Sequence, residues 1–248
     1  MCIRDRYMDC LMNGDYTAYD VIIVDEAQDL MLNEYLDAID LTLVKGLDKG
    51  NWHFFTDRNQ NIYGAKSVSA EQRLKRIGYA EYNLTNNCRN ALRVAVQTSI
   101  VSGITVPLSG IAEGGESRVV FYKDKTELLK DLEAEIRNLI NSGLKLSDFI
   151  ILSTRTLDNS SVCGLDRIAS FEIHDLTENT QPSKPALDFC TMHSFKGLER
   201  KAVLAIDVAN ISEESNSILL YSGLSRARSY LTIFLGESEH DNFEHNAG

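Results

Sequence analysis

Tyr19-Asp20-Val21-Ile22-Ile23-Val24-Asp25-Glu26-Ala27-Gln28-Asp29 decides the reading of this chain. A run of apolar, mostly β-branched residues reads as a fully buried strand, and two acids follow where it ends. In an open α/β sheet the carboxyl ends of the strands are where ligands bind. Asp25 is therefore placed to hold a hydrated Mg²⁺, and Glu26 to polarise a water against a phosphate. The plainer alternative is a strand followed by an acidic helix N-terminus, since acids are favoured in a first turn.

Working outward, strands and helices alternate. Asn33 to Lys49 has helical apolar spacing (Leu36, Ile39, Leu43, Val44, Leu47), and Trp52 to Thr56 reads as a second buried strand. A short helix at Ser69–Ile77, a strand at Ala80–Leu84 and a helix at Arg89–Val101 follow. Residues 102–115 hold four glycines and Pro107, which suits a loop or linker. Arg118–Tyr122 reads as a strand. Asp124 with Glu127 begins a capping-box-like helix whose apolar face is Leu128, Leu132, Ile136, Leu139 and Ile140, ended by Gly143. Phe149–Ser153, Leu187–Thr191, Ala202–Asp207 and Tyr230–Leu235 read as strands. Between them lie an irregular polar stretch at 158–185 with room for a short helix or strand, a turn at Lys196-Gly197, and a helix through Leu219–Arg228. The tail from Glu237 to Gly248 is polar and is expected to fray. This alternation implies parallel sheets flanked by helices.

The composition suits a soluble globular protein, with 44% apolar and 25% charged residues among 248. No apolar run approaches the ~20 residues of a spanning helix, so no membrane passage is expected. Met1-Cys2-Ile3-Arg4-Asp5-Arg6 lacks a signal peptide's apolar core, which makes a cytoplasmic location the expectation. Those six residues also fit nothing downstream. The five cysteines form no C-x-x-C spacing, so neither a zinc site nor a disulfide frame is suggested. The net charge of −11, from 36 acids and 25 bases, argues against a non-specific polyanion binder. It leaves local basic clusters free to steer a strand. His240 and His245 flank two acids in the tail, a weak basis for a metal site.

Further residues suit phosphates. Gln60, after the second strand, could position a water or bind a terminal phosphate, or serve as a turn residue capping Tyr63. Arg89 lies in a loop opening a helix, and Arg226 and Arg228 lie in Ser225-Arg226-Ala227-Arg228 near the expected end of another helix. A guanidinium fork matches phosphate oxygens and stays protonated. Cations also suit a helix C-terminus without any ligand.

In the order of these signals the sequence resembles the C-terminal portion of the ATPase core of superfamily 1 helicases, specifically the UvrD/Rep-like group. Asp25-Glu26-Ala27-Gln28-Asp29 matches motif II, the Walker B box. Thr56-Asp57-Arg58-Asn59-Gln60-Asn61-Ile62-Tyr63 resembles motif III, usually Gly-Asp-x-x-Gln-x-Ile-Tyr. Leu84-Thr85-Asn86-Asn87-Cys88-Arg89-Asn90 is similar to motif IV, commonly ending Asn-Tyr-Arg-Ser. Thr191-Met192-His193-Ser194-Phe195-Lys196-Gly197-Leu198-Glu199 closely matches motif V, and Tyr221–Arg228 resembles motif VI. Between Ala91 and Asp188 only the strand–helix character matches.

The resemblance implies RecA-like α/β domains of the P-loop NTPase type. A partial first domain would span 1–84, a second domain 85–236, and a polar tail 237–248. It implies ATP and Mg²⁺ as cofactors, with ATP bound between the domains, and single-stranded or partly duplex DNA as partner. Asp25 would bind Mg²⁺ and Glu26 would activate water. Gln60 would sense the terminal phosphate, with Arg89 and Arg226 contacting it from the opposite domain. Glu199 would hold the ribose. Thr191 and His193 would lie near the strand track, with Tyr63 close to it.

The match also departs from the family. No Gly-x-x-x-x-Gly-Lys-Ser/Thr loop occurs; the nearest stretch, Gly64-Ala65-Lys66-Ser67, has Gln60 and Ala65 in the glycine slots. N-terminal truncation is the expectation, and with it weak ATP binding and little or no hydrolysis by these residues alone. Thr56 stands where the family has Gly, and Cys88 where an aromatic is usual. About one hundred residues separate motifs IV and V, too few for a large insertion domain. The alternative is a non-catalytic nucleic-acid-binding or regulatory module that keeps this fold.

Overall fold

The computed structural model describes residues 3–14, 16–57, 59, 68–108, 115–178, 182 and 184–247. The chain divides into two compact units, Met1–Asn83 and Leu84–Gly248.

The first unit holds α1 (Ile3–Met12), β1 (Val21–Val24), α2 (Asn33–Thr42), α3 (Gly46–Lys49), β2 (Asn51–Phe54) and α4 (Val68–Ile77). Of the six opening residues that fitted nothing downstream, 3–6 belong to α1, a helix whose Leu11 is buried. β1 and β2 pair in parallel, with Ile22 opposite Trp52 and Val24 opposite Phe54. These four side chains pack on Leu36, Leu43, Leu47, Ala70 and Leu74. The opposite face is open: Val21 is 48% and Ile23 67% exposed. β1 is therefore half-buried rather than fully buried. Among the described residues the sheet has only two strands, and its covered side chains alternate with uncovered ones.

The single helix expected over Asn33–Lys49 is two. Tyr19 pairs with the residues after α2: its N–H donates to Thr42 O at 2.8 Å, and its carbonyl accepts from Val44 N at 2.9 Å. That bridge pulls Leu43 into extended conformation. Asp40 Oδ1 then accepts from Leu47 N at 2.6 Å and restarts the helix at Gly46, whose φ of +63° a glycine adopts without strain. The expected strand at 80–84 has no ladder partner among the described residues. Tyr82 and Leu84 there are both largely exposed.

The second unit holds α5 (Leu92–Ser102), β3 (Glu116–Tyr122), α6 (Lys125–Asn141), β4 (Phe149–Ser153), β5 (Arg167–Ile168), β6 (Phe171–Asp175), β7 (Leu187–Thr191), β8 (Arg200–Val208), α7 (Glu214–Leu224), β9 (Ala227–Gly236) and α8 (His240–Ala247). Its seven-stranded sheet runs β3-β9-β8-β4-β7-β6-β5, parallel throughout except for the β5–β6 hairpin. This is the α/β architecture with a mostly parallel sheet flanked by helices that the alternation implied. β4 shows why its sequence is continuously apolar. Ile150 and Leu152 join the cluster containing Val94, Leu220 and Leu224, while Phe149 and Ile151 join the cluster containing Leu128, Leu132 and Ile136. Both faces are buried, as a central parallel strand requires.

The Asp124 carboxylate caps α6 by accepting from Thr126 N at 2.8 Å and Glu127 N at 3.0 Å; Glu127 reaches back to Lys123 N at 2.8 Å. Gly103, at φ +69°, closes α5, so residues 102–108 lie inside the second unit. The irregular stretch 158–185 contains β5 and β6, and β6 pairs in parallel with β7. α7 begins at Glu214 and ends at Leu224, five residues earlier and four residues sooner than its expected span, and β9 takes up the difference. The tail is helical rather than frayed. Glu239 is buried and accepts from Asn210 N at 2.7 Å and Ile211 N at 3.3 Å, and Phe243 packs on the core. His240 stacks on Phe121, and no group of His, Cys, Asp and Glu suited to a metal occurs among the described residues. No helix among them is long and apolar enough to cross a membrane.

Candidate functional site

In the first unit Asp25 and Glu26 directly follow β1. Glu26 is left-handed (φ +50°), and its N–H donates to Asp25 Oδ1 at 2.9 Å. This turns the chain sharply at the strand end, so both carboxylates stay at the sheet's carboxyl edge. Gln28, only 2% exposed, links them to the neighbouring strand end. Its Nε2 donates to Glu26 Oε2, and its Oε1 accepts from Asp57 N at 3.0 Å. Ala27 N donates to Phe55 O at 2.8 Å, adding a backbone tie between the same two loops. Asp25 is exposed beside this frame and suits a hydrated Mg²⁺, which needs only one or two protein carboxylates beside phosphate oxygens. Gln60, Tyr63 and Gly64–Ser67 lie outside the described residues.

In the second unit the polar residues divide between opposite ends of the sheet. Arg89, Glu199, Arg226 and Arg228 gather at the amino ends of β8 and β9. Glu199 lies between two guanidinium groups, with Oε2 3.7 Å from Arg89 Nε and Oε1 3.5 Å from Arg228 Nη1. All three side chains are about half exposed, so these pairs add little stability and can open for a ligand. A cleft of about 360 Å³ adjoins them, lined by Asp148, Glu199, Arg200, Lys201, Arg228 and Ser229. Arg226, 1% exposed, follows α7 directly, and its Nε donates to Ser222 O at 2.7 Å. It thus also satisfies a carbonyl of the last helical turn, as a cation at a helix end can without any ligand.

Asn90 ties these segments together. Its Nδ2 donates to Ser225 O at 2.8 Å and to Ala227 O at 2.6 Å. Asn87 Oδ1 accepts from Arg89 N and Asn90 N, at 3.0 and 3.2 Å. Ala91 N donates to Arg228 O at 2.8 Å, and Arg200 N to Arg226 O at 3.1 Å. Asp188 braces Arg200 at 3.1 Å and meets His174 at 3.3 Å, while the Arg200 guanidinium lies 5.6 Å from the Phe195 ring centre. Gln28 and Asn90 went unassigned from sequence. Both are amides beside charged residues inside short motifs, and only their burial distinguishes them.

Thr191 and His193 lie at the other end. Thr191 ends β7 level with Ser153 and Ile206. Glu199 precedes β8 by one residue, so about seven residues, or roughly 20 Å at 3.3 Å per residue, separate the two levels. The loop 192–199 must cross the sheet because β7 and β8 are both parallel to β4. Buried Met192 and Phe195 anchor it, leaving His193 exposed. Thr191 Oγ1 accepts from Ser194 N at 3.0 Å. The neighbouring Cys190 thiol is pushed up to about 11, chiefly by burial and further by Asp175, so it is no nucleophile at neutral pH. Asp25 and Glu26 therefore lie at a carboxyl edge, where the sequence placed them, whereas the arginines and Glu199 occupy an amino edge.

No protein-family model matches this chain, and no curated protein sequence matches it. By backbone shape it is similar to the C-terminal domain of a possible DNA helicase from Lactobacillus plantarum WCFS1. That likeness has a TM-score of 0.47 and 16% sequence identity, and covers 60% of this chain and 86% of that one.

Proposed function

We propose that these residues belong to an ATP-dependent DNA helicase or translocase of the UvrD/Rep type, which couples ATP hydrolysis to movement on single-stranded DNA. The observation that carries the reading is that Arg89 and Arg228 each lie within 4 Å of Glu199, although the three lie far apart in sequence. Their order along the chain is that of motifs IV, V and VI. Motif order alone requires no such convergence.

In this reading Glu26 takes the proton of the attacking water, held in place by Gln28. Arg89 and Arg226 stabilise charge on the transferring phosphoryl group, and Glu199 accepts from ribose hydroxyls. Mg²⁺, when bound at Asp25, neutralises phosphate charge. Phosphoryl transfer needs this kind of positioning more than covalent chemistry. Thr191 and His193, at the opposite edge of the sheet, contact the strand, so the loop 192–199 joins the nucleotide end to the strand end. Hydrolysis then becomes motion because the loop is a mechanical link between the two.

The 248 residues contain no phosphate-binding glycine loop, so weak ATP binding and little turnover are expected of them alone. In a chain carrying a Walker A loop ahead of Asp20, Glu26→Gln should abolish turnover while sparing ATP binding. Retained turnover would remove Glu26 as the base.

A further inference from the structure

We infer that Asn90 is a positioning residue that sets the two terminal-phosphate arginines as one unit. The inference rests on the reading of Arg89 and Arg226 as contacts to that phosphate. Asn90 follows Arg89 directly and is buried, and its single amide nitrogen donates to the carbonyls on both sides of Arg226, Ser225 O and Ala227 O. The carbonyl of Arg226 itself points the other way, accepting from Arg200 N. Of the four carbonyls in residues 225–228, that of Arg226 is held by the start of β8, and the other three are held by Asn90 and Ala91, where Ala91 N meets Arg228 O.

The geometry demands an amide. A side chain that donates twice through one nitrogen, from a stem that reaches both carbonyls, is Asn at this spacing. Its Oδ1 accepts from Asn87 Nδ2 at 3.3 Å, so the amide orientation is set by a second contact. The UvrD/Rep-like motif IV that this segment resembles commonly ends in Ser. A serine hydroxyl has one proton and a shorter reach, and can satisfy only one of the two carbonyls. Asn90→Asp removes both donors and sets a carboxylate against two carbonyl oxygens, which repels the 225–228 segment. Each change alters the spacing of Arg89 and Arg226 without touching either guanidinium.

The test uses an isotope-labelled chain that carries a Walker A loop ahead of Asp20, titrated with Mg-ATP and with Mg-ADP while NMR follows the Arg Nε–Hε signals. Millimolar affinities are measurable in this way. The wild-type chain should prefer ATP over ADP. Asn90→Asp should lower that preference by roughly tenfold, and Asn90→Ser by about threefold, with ADP affinity nearly constant. A merely structural amide would weaken both nucleotides together. If Asn90→Asp does not fold, Asn90→Ser decides, since serine suits this place in the resembled motif. An unchanged ATP-to-ADP ratio in a folded variant overturns the inference and leaves the nucleotide reading standing. A wild-type chain that binds neither nucleotide overturns both.

Discussion

Gln28 joins the two strand ends of the first unit: its Oε1 accepts from the backbone N–H of Asp57 at 3.0 Å, while its Nε2 donates to Glu26. Replacing it by Ala strands a buried N–H and opens a hole beneath the acidic pair. Gln28→Ala should cost about 1–3 kcal/mol in this unit. Trp52 is the sole tryptophan and packs in that unit's core, so its fluorescence during urea unfolding reads the loss. An unshifted midpoint would remove Gln28 from the frame of the site.

Asp207 makes a similar tie at the carboxyl end of β8, under backbone strain. It is left-handed (φ +57°) and buried, and accepts from Ser153 Oγ at 2.7 Å, from Ser161 N at 3.0 Å and from Ser161 Oγ. Asn tolerates this backbone and keeps an acceptor, Gly relieves the strain but loses the bonds, and Ala does neither. Stability should fall in the order Asp207→Asn, Asp207→Gly, Asp207→Ala, with the last costing about 3 kcal/mol. Chemical unfolding followed by far-ultraviolet circular dichroism orders the three. Alanine outranking glycine would contradict the strain assigned here.

Cys190 supplies a pH prediction. Its pKa is raised from 9.0 to about 11, so the folded state keeps the thiol protonated where the unfolded chain has lost the proton. An acid shifted in this direction stabilises fully below its unfolded pKa and loses that contribution as pH climbs from about 9 to about 11. Wild type should lose on the order of 2 kcal/mol relative to Cys190→Ala across that window. Parallel unfolding curves for the two proteins as pH rises would contradict it. At about pH 8, a thiol reagent should modify exposed Cys10, Cys88 and Cys163 and spare Cys190 until unfolding.

Local pattern carried much of the fold. β4 and β8 are apolar runs because both faces are covered, and α6 carries its own cap and stripe. The misreadings have long-range causes. Nothing near Leu43 announces that Tyr19 will bridge to it, and Ala80–Leu84 has strand composition without a ladder neighbour. β6 was hidden because its Glu172, His174 and Asp175 look like loop residues until β7 pairs with them. The candidate site was legible as residue types in order. Which sheet edge each type occupies was not, because Thr191 and Glu199 are separated by a crossing that only the register with β4 reveals.

The most direct test of the central claim is ATP turnover, with and without single-stranded DNA, in a chain carrying a Walker A loop ahead of Asp20. Arg89→Ala should lower kcat on the order of 10³-fold with little change in KM, because its guanidinium acts on charge that develops in the transition state. DNA should stimulate the wild type, and His193→Ala should blunt that stimulation while sparing basal turnover. Turnover indifferent to DNA, or an Arg89→Ala variant as fast as wild type, would contradict the account.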